Sequence, residues 1–270
     1  AFVRVEIRKF IYILILKLML LSNVVYSADL EINVTEIQQK AALNQKQALF
    51  DLGYLTQTGQ GVKQDLPKAI ELYKKASALG HRSANHNLGL IYFYGKGVKQ
   101  DYLESAKWFK IAAERDVTDA QRNLLKLYYR HLIPRDEKYI EQLLKQLANK
   151  GNDEDIYALA QYYYFEREDI ASAEPYYLIL AEKGNTKVFN RLGSIYFKGD
   201  GDKRNYAEAY KWFKKSAENG DRDGQYLTGM MLMGNFGISE DKQTAIYWLK
   251  AAAKQGQTKA SEYLDLMYKQ

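Results

Sequence analysis

At 270 residues, with 47% hydrophobic and 27% charged side chains, the chain has the make-up of a folded protein, and disorder is not its default. The lack of any cysteine excludes disulfides, thiol nucleophiles, zinc–thiolate sites and lipid attachment through cysteine. The formal net charge of +6 overstates the basicity: setting aside residues 1–27 turns 39 basic and 33 acidic side chains into 35 and 32, too even a balance for a nucleic-acid partner.

Residues 1–27 read as an export signal. Arg4, Arg8 and Lys9 make a positive start, and Phe10 to Leu21 is an apolar stretch too short to cross a bilayer comfortably. Val25 and Ser27 are small enough to precede a cut between Ser27 and Ala28. Lys17 inside the apolar stretch is atypical, and an uncleaved anchor is the alternative. The expected location is periplasmic or secreted, with no membrane span in the mature chain. Residues 28–41 are expected to be a linker or the start of the first helix.

From residue 42 onward the chain repeats itself at a period of about 36. Ala48, Leu52, Gly53 and Tyr54 are followed by Gly59, Gly61, Val62, Asp65, Ala69, Leu72, Tyr73, Ala76 and Gly80. One period later stand Ala84, Leu88, Gly89, Tyr92, Gly95, Gly97, Val98, Asp101, Ser105, Trp108, Phe109, Ala112 and Ala113. The register returns at Val188, Leu192, Gly193, Tyr196, Gly199, Gly201, Asn205, Ala209, Trp212, Phe213, Ser216, Ala217 and Gly220. It returns again at Gly229, Gly237, Asp241, Ala245, Trp248, Leu249, Ala252 and Gly256. A fixed period of this length marks a solenoid.

Each unit has two stripes of apolar residues at a spacing of three and four, hence two amphipathic helices with a glycine turn between them. Asp65, Asp101, Asn205 and Asp241 stand where a side chain would cap the second helix. Gly80, Gly220 and Gly256 stand where a left-handed residue would end it. Glycines at 53, 89, 193 and 229 each cost a helix interior about 1 kcal/mol relative to alanine, so a close helix approach is expected there, with Trp108, Trp212 or Trp248 filling the adjacent space.

Two units depart from the register. Between residues 120 and 154 the Gly-x-Gly turn becomes His131-Leu132-Ile133-Pro134-Arg135, and the unit over 155–187 is shorter by three. The predicted repeats are 48–83, 84–119, 120–154, 155–187, 188–223 and 224–259, closed by a capping helix over 260–270. The fold class is all-α: a right-handed α/α superhelical solenoid of about six helix-turn-helix repeats plus that cap.

These residues resemble the Sel-1-like repeat, a relative of the tetratricopeptide repeat. The resemblance covers nearly all of residues 42–270 and implies an adaptor or scaffold with a concave groove. In the tetratricopeptide register that groove is lined by first-helix positions: Phe50 and Tyr54, His86 and Phe93, Arg122, Lys126 and Tyr129, Tyr157, Gln161 and Tyr164, Asn190 and Phe197, Tyr226 and Met230. An aromatic lining around a basic centre suits another protein, acidic or extended, as partner. Tyr162-Tyr163-Tyr164-Phe165 cannot all face one stripe, since successive helical residues turn by about 100°, so at least one is expected on the surface.

Nothing in the spacing singles out catalytic, cofactor-binding or metal-ligating residues, so the chain is expected to be neither an enzyme nor a cofactor carrier. His81 and His86 lie five apart, off the spacing of a helical metal pair, and His81 is expected in an exposed turn. The expected protein is a monomeric interaction module. An immunity protein neutralising an antibacterial effector is a narrower version, implied by exported members of the family. A peptidoglycan or β-lactam hydrolase is the competing class, and it lacks the cysteines of the relatives linked to that chemistry.

Overall fold

The computed structural model describes residues 34–199, 204–234, 236, 238–239 and 241–268. Residues 1–27, on which the expected export signal falls, residues 28–33, Gly201 and Gly237 lie outside the described residues. The chain divides into two compact bodies, one ending at Asp136 and one beginning at Glu137. The division falls in the turn where the third repeat has lost its glycines.

In the first body residues 34–42 are helical (α1), followed by α2 (Lys46–Thr58), α3 (Leu66–Ala78), α4 (Arg82–Tyr94), α5 (Tyr102–Glu114) and α6 (Thr118–Tyr129). The second body opens with α7 (Glu137–Ala148) and α8 (Asp153–Gln161), which runs on into a π-helical turn, Tyr162–Glu166. Then come α9 (Ile170–Glu182), a 3-10 turn at Thr186–Val188, α10 (Phe189–Lys198), α11 (Tyr206–Glu218), α12 (Arg222–Met233), α13 (Lys242–Lys254) and α14 (Thr258–Tyr268). The fold is an all-α repeat solenoid: α2–α3 and α4–α5 pair in the first body, and α8–α9, α10–α11 and α12–α13 pair in the second, with α14 against α13. Part of the 28–41 stretch is therefore helix, with Val34 and Ala41 buried. At the other end, Ala260 and Leu264 of α14 pack with Leu249 and Ala252 of α13, covering an apolar face that would otherwise meet water.

The repeat register explains the local geometry. The first N–H groups of a helix lack partners inside it. The carboxylates of Asp65 and Asp101 accept from the N–H groups of Lys68 and Glu104, both at 2.9 Å. Asn205 and Asp241 do the same for Glu208 and Thr244 at 3.0 Å. The first helices of the first two repeats end at Gly59 and Gly95 with φ of +76° and +67°, a left-handed turn that glycine enters without steric penalty. Past that turn the amides of Gln64 and Gln100 donate back to the Gln57 and Phe93 carbonyls, 2.9 and 2.7 Å away.

The mid-helix glycines do mark close approach, but the tryptophans do not fill the space. A Cβ on Gly89 would stand 2.4 Å from the Phe109 ring, and one on Gly193 would stand 2.5 Å from Phe213. Gly53 faces Tyr73 and Gly229 faces Leu249 in the same way. In the repeats that carry a tryptophan the neighbour is thus the residue after it, the eighth of the second helix against the eighth of the first, the first helix of the fifth repeat being counted throughout from Thr186. One residue earlier is rotated by about 100°, which turns Trp108 and Trp248 to half-buried positions at the flank. Trp212 is buried, and Lys215 lies 4.4 Å from its ring.

The central repeats solve the same geometry differently. Leu125 and Ala160 stand at the glycine position of α6 and α8. Asp116, His131 and Glu168 adopt φ of +61°, +54° and +51°, all within the third and fourth repeats or at their border.

Candidate protein-binding surface

The first helices carry the surface. Within each body they touch one another directly, α4 with α6 and α10 with α12. Their fifth, ninth and twelfth positions therefore form rows, and the sequence-predicted lining residues occupy these rows.

The fifth position is largely spent on joining repeats. Phe50 stacks on the His81 ring at 4.2 Å and 15°. Asn123 donates to His86 Nε2 at 3.1 Å, and Asn190 donates to Asp221 at 2.6 Å. Phe50, His86 and Asn190 are accordingly half-buried between successive units and present little free surface. Arg122 is exposed at the same position of α6.

His81 does not sit in an exposed turn. It is half-buried as the N-cap of α4, its Nδ1 accepting from the Ala84 N–H at 3.2 Å while Nε2 meets Gln47 Oε1 at 3.1 Å. That arrangement requires a neutral ring with its proton on Nε2. Burial lowers the pKa of both His81 and His86, with nearby Asp51 and Asp119 opposing the shift. Among the described residues no group of three or more His, Asp and Glu side chains is arranged to hold a metal ion.

At the ninth and twelfth positions the surface opens. Tyr54 is 46% exposed, at the edge of a hollow lined also by Glu36, Lys40, Gln47 and Asp51. Phe93 packs edge-on against Tyr94 and Tyr102. On α6, Lys126 and Tyr129 are exposed, and the Arg135 guanidinium lies 5.4 Å from the Tyr129 ring. The first body thus presents a basic and aromatic strip on α6.

The second body holds two clusters. In the first, the Gln161 amide donates to the Tyr157 hydroxyl at 2.8 Å, and Tyr157 and Tyr164 flank Tyr177 with ring centroids 6.1 and 6.3 Å away. The π-helical turn supplies Tyr164 and Phe165, while Tyr162 and Tyr163 are buried; Phe165 is the exposed member of the run, at 54%. Arg191 of α10 lies 4.8 Å from the Tyr164 ring and 4.6 Å from that of Phe165. In the second cluster, Phe197, Tyr226 and Met230 meet Phe213, Leu227, Met231 and Phe236 around an open apolar cavity of about 140 Å³. Three residues placed apart in sequence by the repeat register thereby line one hollow.

Arg191, Tyr177, Leu227 and Phe236 have no counterpart among the sequence-predicted lining. The register hides Arg191, because the sixth position of the other first helices reads Asp51, Asn87, Asn123, Ala158 and Leu227. Three methionines crowded into Gly229-Met230-Met231-Leu232-Met233 were the available hint of the cavity, since methionine adapts to irregular apolar partners.

Fold and surface define a helical-repeat solenoid with side-chain rows suited to contacting another macromolecule. A family model for the Sel1 repeat matches residues 46–81, 82–117, 190–221 and 222–257, more than half of the chain, and the chain belongs to that family of protein-interaction modules. The two atypical central repeats are the ones left unmatched. The component HRD3B of an ERAD-associated E3 ubiquitin-protein ligase of Arabidopsis thaliana is 37% identical over 109 residues, 38% of this chain and 17% of that protein. The chain therefore spans a small part of that relative's length. Among solved structures, a protective antigen of uropathogenic Escherichia coli with an SLR fold is 25% identical at a TM-score of 0.50, covering 87% of this chain and 59% of its own. A Sel1 repeat protein of Oxalobacter formigenes is 27% identical at a TM-score of 0.50, covering 84% of this chain and 93% of its own.

Proposed function

We propose that the chain is a non-enzymatic interaction module of the bacterial periplasm or the secreted space, binding a protein partner along the first-helix rows. The observation that carries the reading is the convergence of Phe197, Tyr226 and Met230 on an open apolar cavity. Its volume suits one large apolar side chain, and buried aromatic and methionine anchors are where binding energy concentrates. The location rests on the basic start and apolar stretch of residues 1–27. No helix among the described residues is long and apolar enough to cross a membrane.

The test is affinity capture from envelope extract with the purified chain, run beside Met230→Lys. Met230 is only half-buried, so the variant should keep its helical signal while placing a charge in the cavity mouth. A partner held by the parent and lost from Met230→Lys supports the reading; capture unaffected by the charge removes the cavity from the interface. Deleting residues 1–27 should confine the protein to the cytoplasm, and continued export of that variant would end the signal assignment.

A further inference from the structure

The Tyr177 hydroxyl is buried and makes no hydrogen bond. Its counterpart at the eighth position of the first repeat's second helix, Tyr73, is just as buried but donates to Gln57 Oε1 at 2.8 Å. Gln57 is the twelfth residue of its first helix, and in the fourth repeat that position belongs to Tyr164. The acceptor that satisfies Tyr73 has therefore been exchanged for a ring, and that ring is a platform for Arg191. A buried hydroxyl without a partner is costly, so its retention in a packed repeat points to a partner that arrives from outside.

The surroundings say what kind of partner. Around Tyr177 stand the Tyr157 and Tyr164 side chains and the Arg191 guanidinium. Tyr157 already accepts from the Gln161 amide, which leaves its own hydroxyl proton to donate. Arg191 makes no ion pair among the described residues; its contacts are the faces of Tyr164 and Phe165. Its guanidinium carbon lies within 5 Å of two rings set at 79° to one another, and a guanidinium without an ion-pair partner can take a carboxylate through two parallel hydrogen bonds. The cluster gathers donors and a fixed positive charge, and no carboxylate of the described residues answers them.

We propose that Arg191, held over Tyr164 and Phe165 beside the Tyr157 and Tyr177 hydroxyls, is a carboxylate anchor for an acidic segment of the protein partner. The anchor group is a carboxylate from an Asp or Glu side chain or from a chain's C-terminus. Tyr177 is closed over in the free protein, so its hydroxyl is reached when the Tyr164 side chain gives way on the π-helical turn. A π-turn adds a residue to the helical circuit and commonly accompanies functional sites. The proposal rests on the reading of the chain as a binding module, and it gives that module's partner a charge.

The purified chain, labelled so that the Arg Nε–Hε signals resolve, is titrated with N-acetylglutamate methylamide for the side-chain source and N-acetylleucine for the C-terminal source. N-acetylglutamine methylamide and N-acetylleucinamide are the neutral controls. A saturable shift of the Arg191 signal with either carboxylate, absent with the amides, is the expected result, and the stronger carboxylate names the source. Arg191→Gln should weaken the carboxylate affinity, read from ring-proton shifts of the tyrosines, by about tenfold or more. Tyr177→Phe should weaken it severalfold while leaving the thermal midpoint unchanged or raised, because the lost hydroxyl has no partner in the free protein. Equal response to amides and carboxylates, unchanged affinity in Arg191→Gln, or a lowered midpoint with unchanged affinity in Tyr177→Phe would overturn the proposal. Met230→Lys leaves Arg191 intact, so loss of partner capture there and loss of carboxylate binding here can fail independently.

Discussion

The four repeats that keep the register and the atypical fourth repeat build helix pairs with different residues. Where the register holds, a glycine at the eighth position lets a large side chain from the second helix press against bare backbone: Gly53 on Tyr73, Gly89 on Phe109, Gly193 on Phe213, Gly229 on Leu249. In the fourth repeat alanine takes the glycine's place and Tyr177 the aromatic one, its hydroxyl unsatisfied. The regular repeats spend their unusual residues on packing. The central region departs from the pattern at the positions where the tyrosine run, the π-turn and the basic strip of α6 are found. Regularity here marks packing, although the apolar cavity of Phe197, Tyr226 and Met230 lies within regular repeats; the departures add the tyrosine run, the π-turn and the basic strip beside that packing.

The largest effect that would break this comparison is Gly89→Leu. The new side chain would have to displace a fully buried Phe109 ring already within 2.4 Å of the first carbon added, and the expected loss is about 3 kcal/mol, read by denaturant unfolding. The reverse change in the departing repeat, Ala160→Gly, should cost only about 1 kcal/mol, the helix-propensity difference. Equal losses at the two positions would mean that the eighth-position glycine is not a packing device. Gly80→Ala then isolates backbone conformation from packing. Its φ is +84° and nothing lies within 4 Å of the added carbon, so the expected cost of about 1 kcal/mol is conformational alone.

Most of the fold was legible because the repeat wrote each structural role several times. A capping carboxylate at Asp65, Asp101 and Asp241 is read once and recognised thereafter, and the same holds for the turn and mid-helix glycines. The identity of the glycine's neighbour was misread because tryptophan is the more conspicuous member of the Trp-Phe pair, while the helical angle gives the contact to the next residue. The candidate site was less legible, for a physical reason. Membership of a first-helix row follows from the period, but whether a row residue faces solvent depends on what the next repeat sends toward it. Asn123 of the following repeat covers His86, and His81 reaches Phe50 only because the start of α4 holds it there as a cap. Arg191 was invisible for the complementary reason: its importance comes from two rings that a π-turn in the preceding repeat brings under it.

A smaller effect of opposite sign tests the departing turns. Glu168 holds φ of +51° with a side chain that gains nothing from the left-handed region, so Glu168→Gly should stabilise the chain by about 0.5 kcal/mol, the relieved strain less the added freedom of the unfolded glycine. A loss of stability, measured by thermal unfolding, would show that the Glu168 side chain makes contacts outweighing its backbone strain.

The smallest expected effect separates the two bodies by pH. In the first body consecutive repeats are joined through imidazoles that must stay neutral, His81 as cap of α4 and His86 as acceptor from Asn123. The corresponding join in the second body, Asn190 to Asp221, contains no imidazole. Both histidines have folded pKa values below the ordinary 6.5, because burial disfavours the charged ring more than Asp51 and Asp119 favour it; Lys46 and Arg82 add to the lowering at His81. The unfolded chain therefore binds protons first as pH falls. The stability contributed by the neutral rings is complete above pH 6.5 and is lost as the pH drops through the lower folded values. Hydrogen exchange at pH 7.5 and 5.0, corrected for intrinsic rates, should show α4 losing protection relative to α12. Asparagine caps a helix without titrating, so His81→Asn should remove part of that loss while keeping α4 capped. Equal changes in α4 and α12, or an undiminished loss in the variant, would mean that the imidazoles do not govern how the first body's repeats hold together.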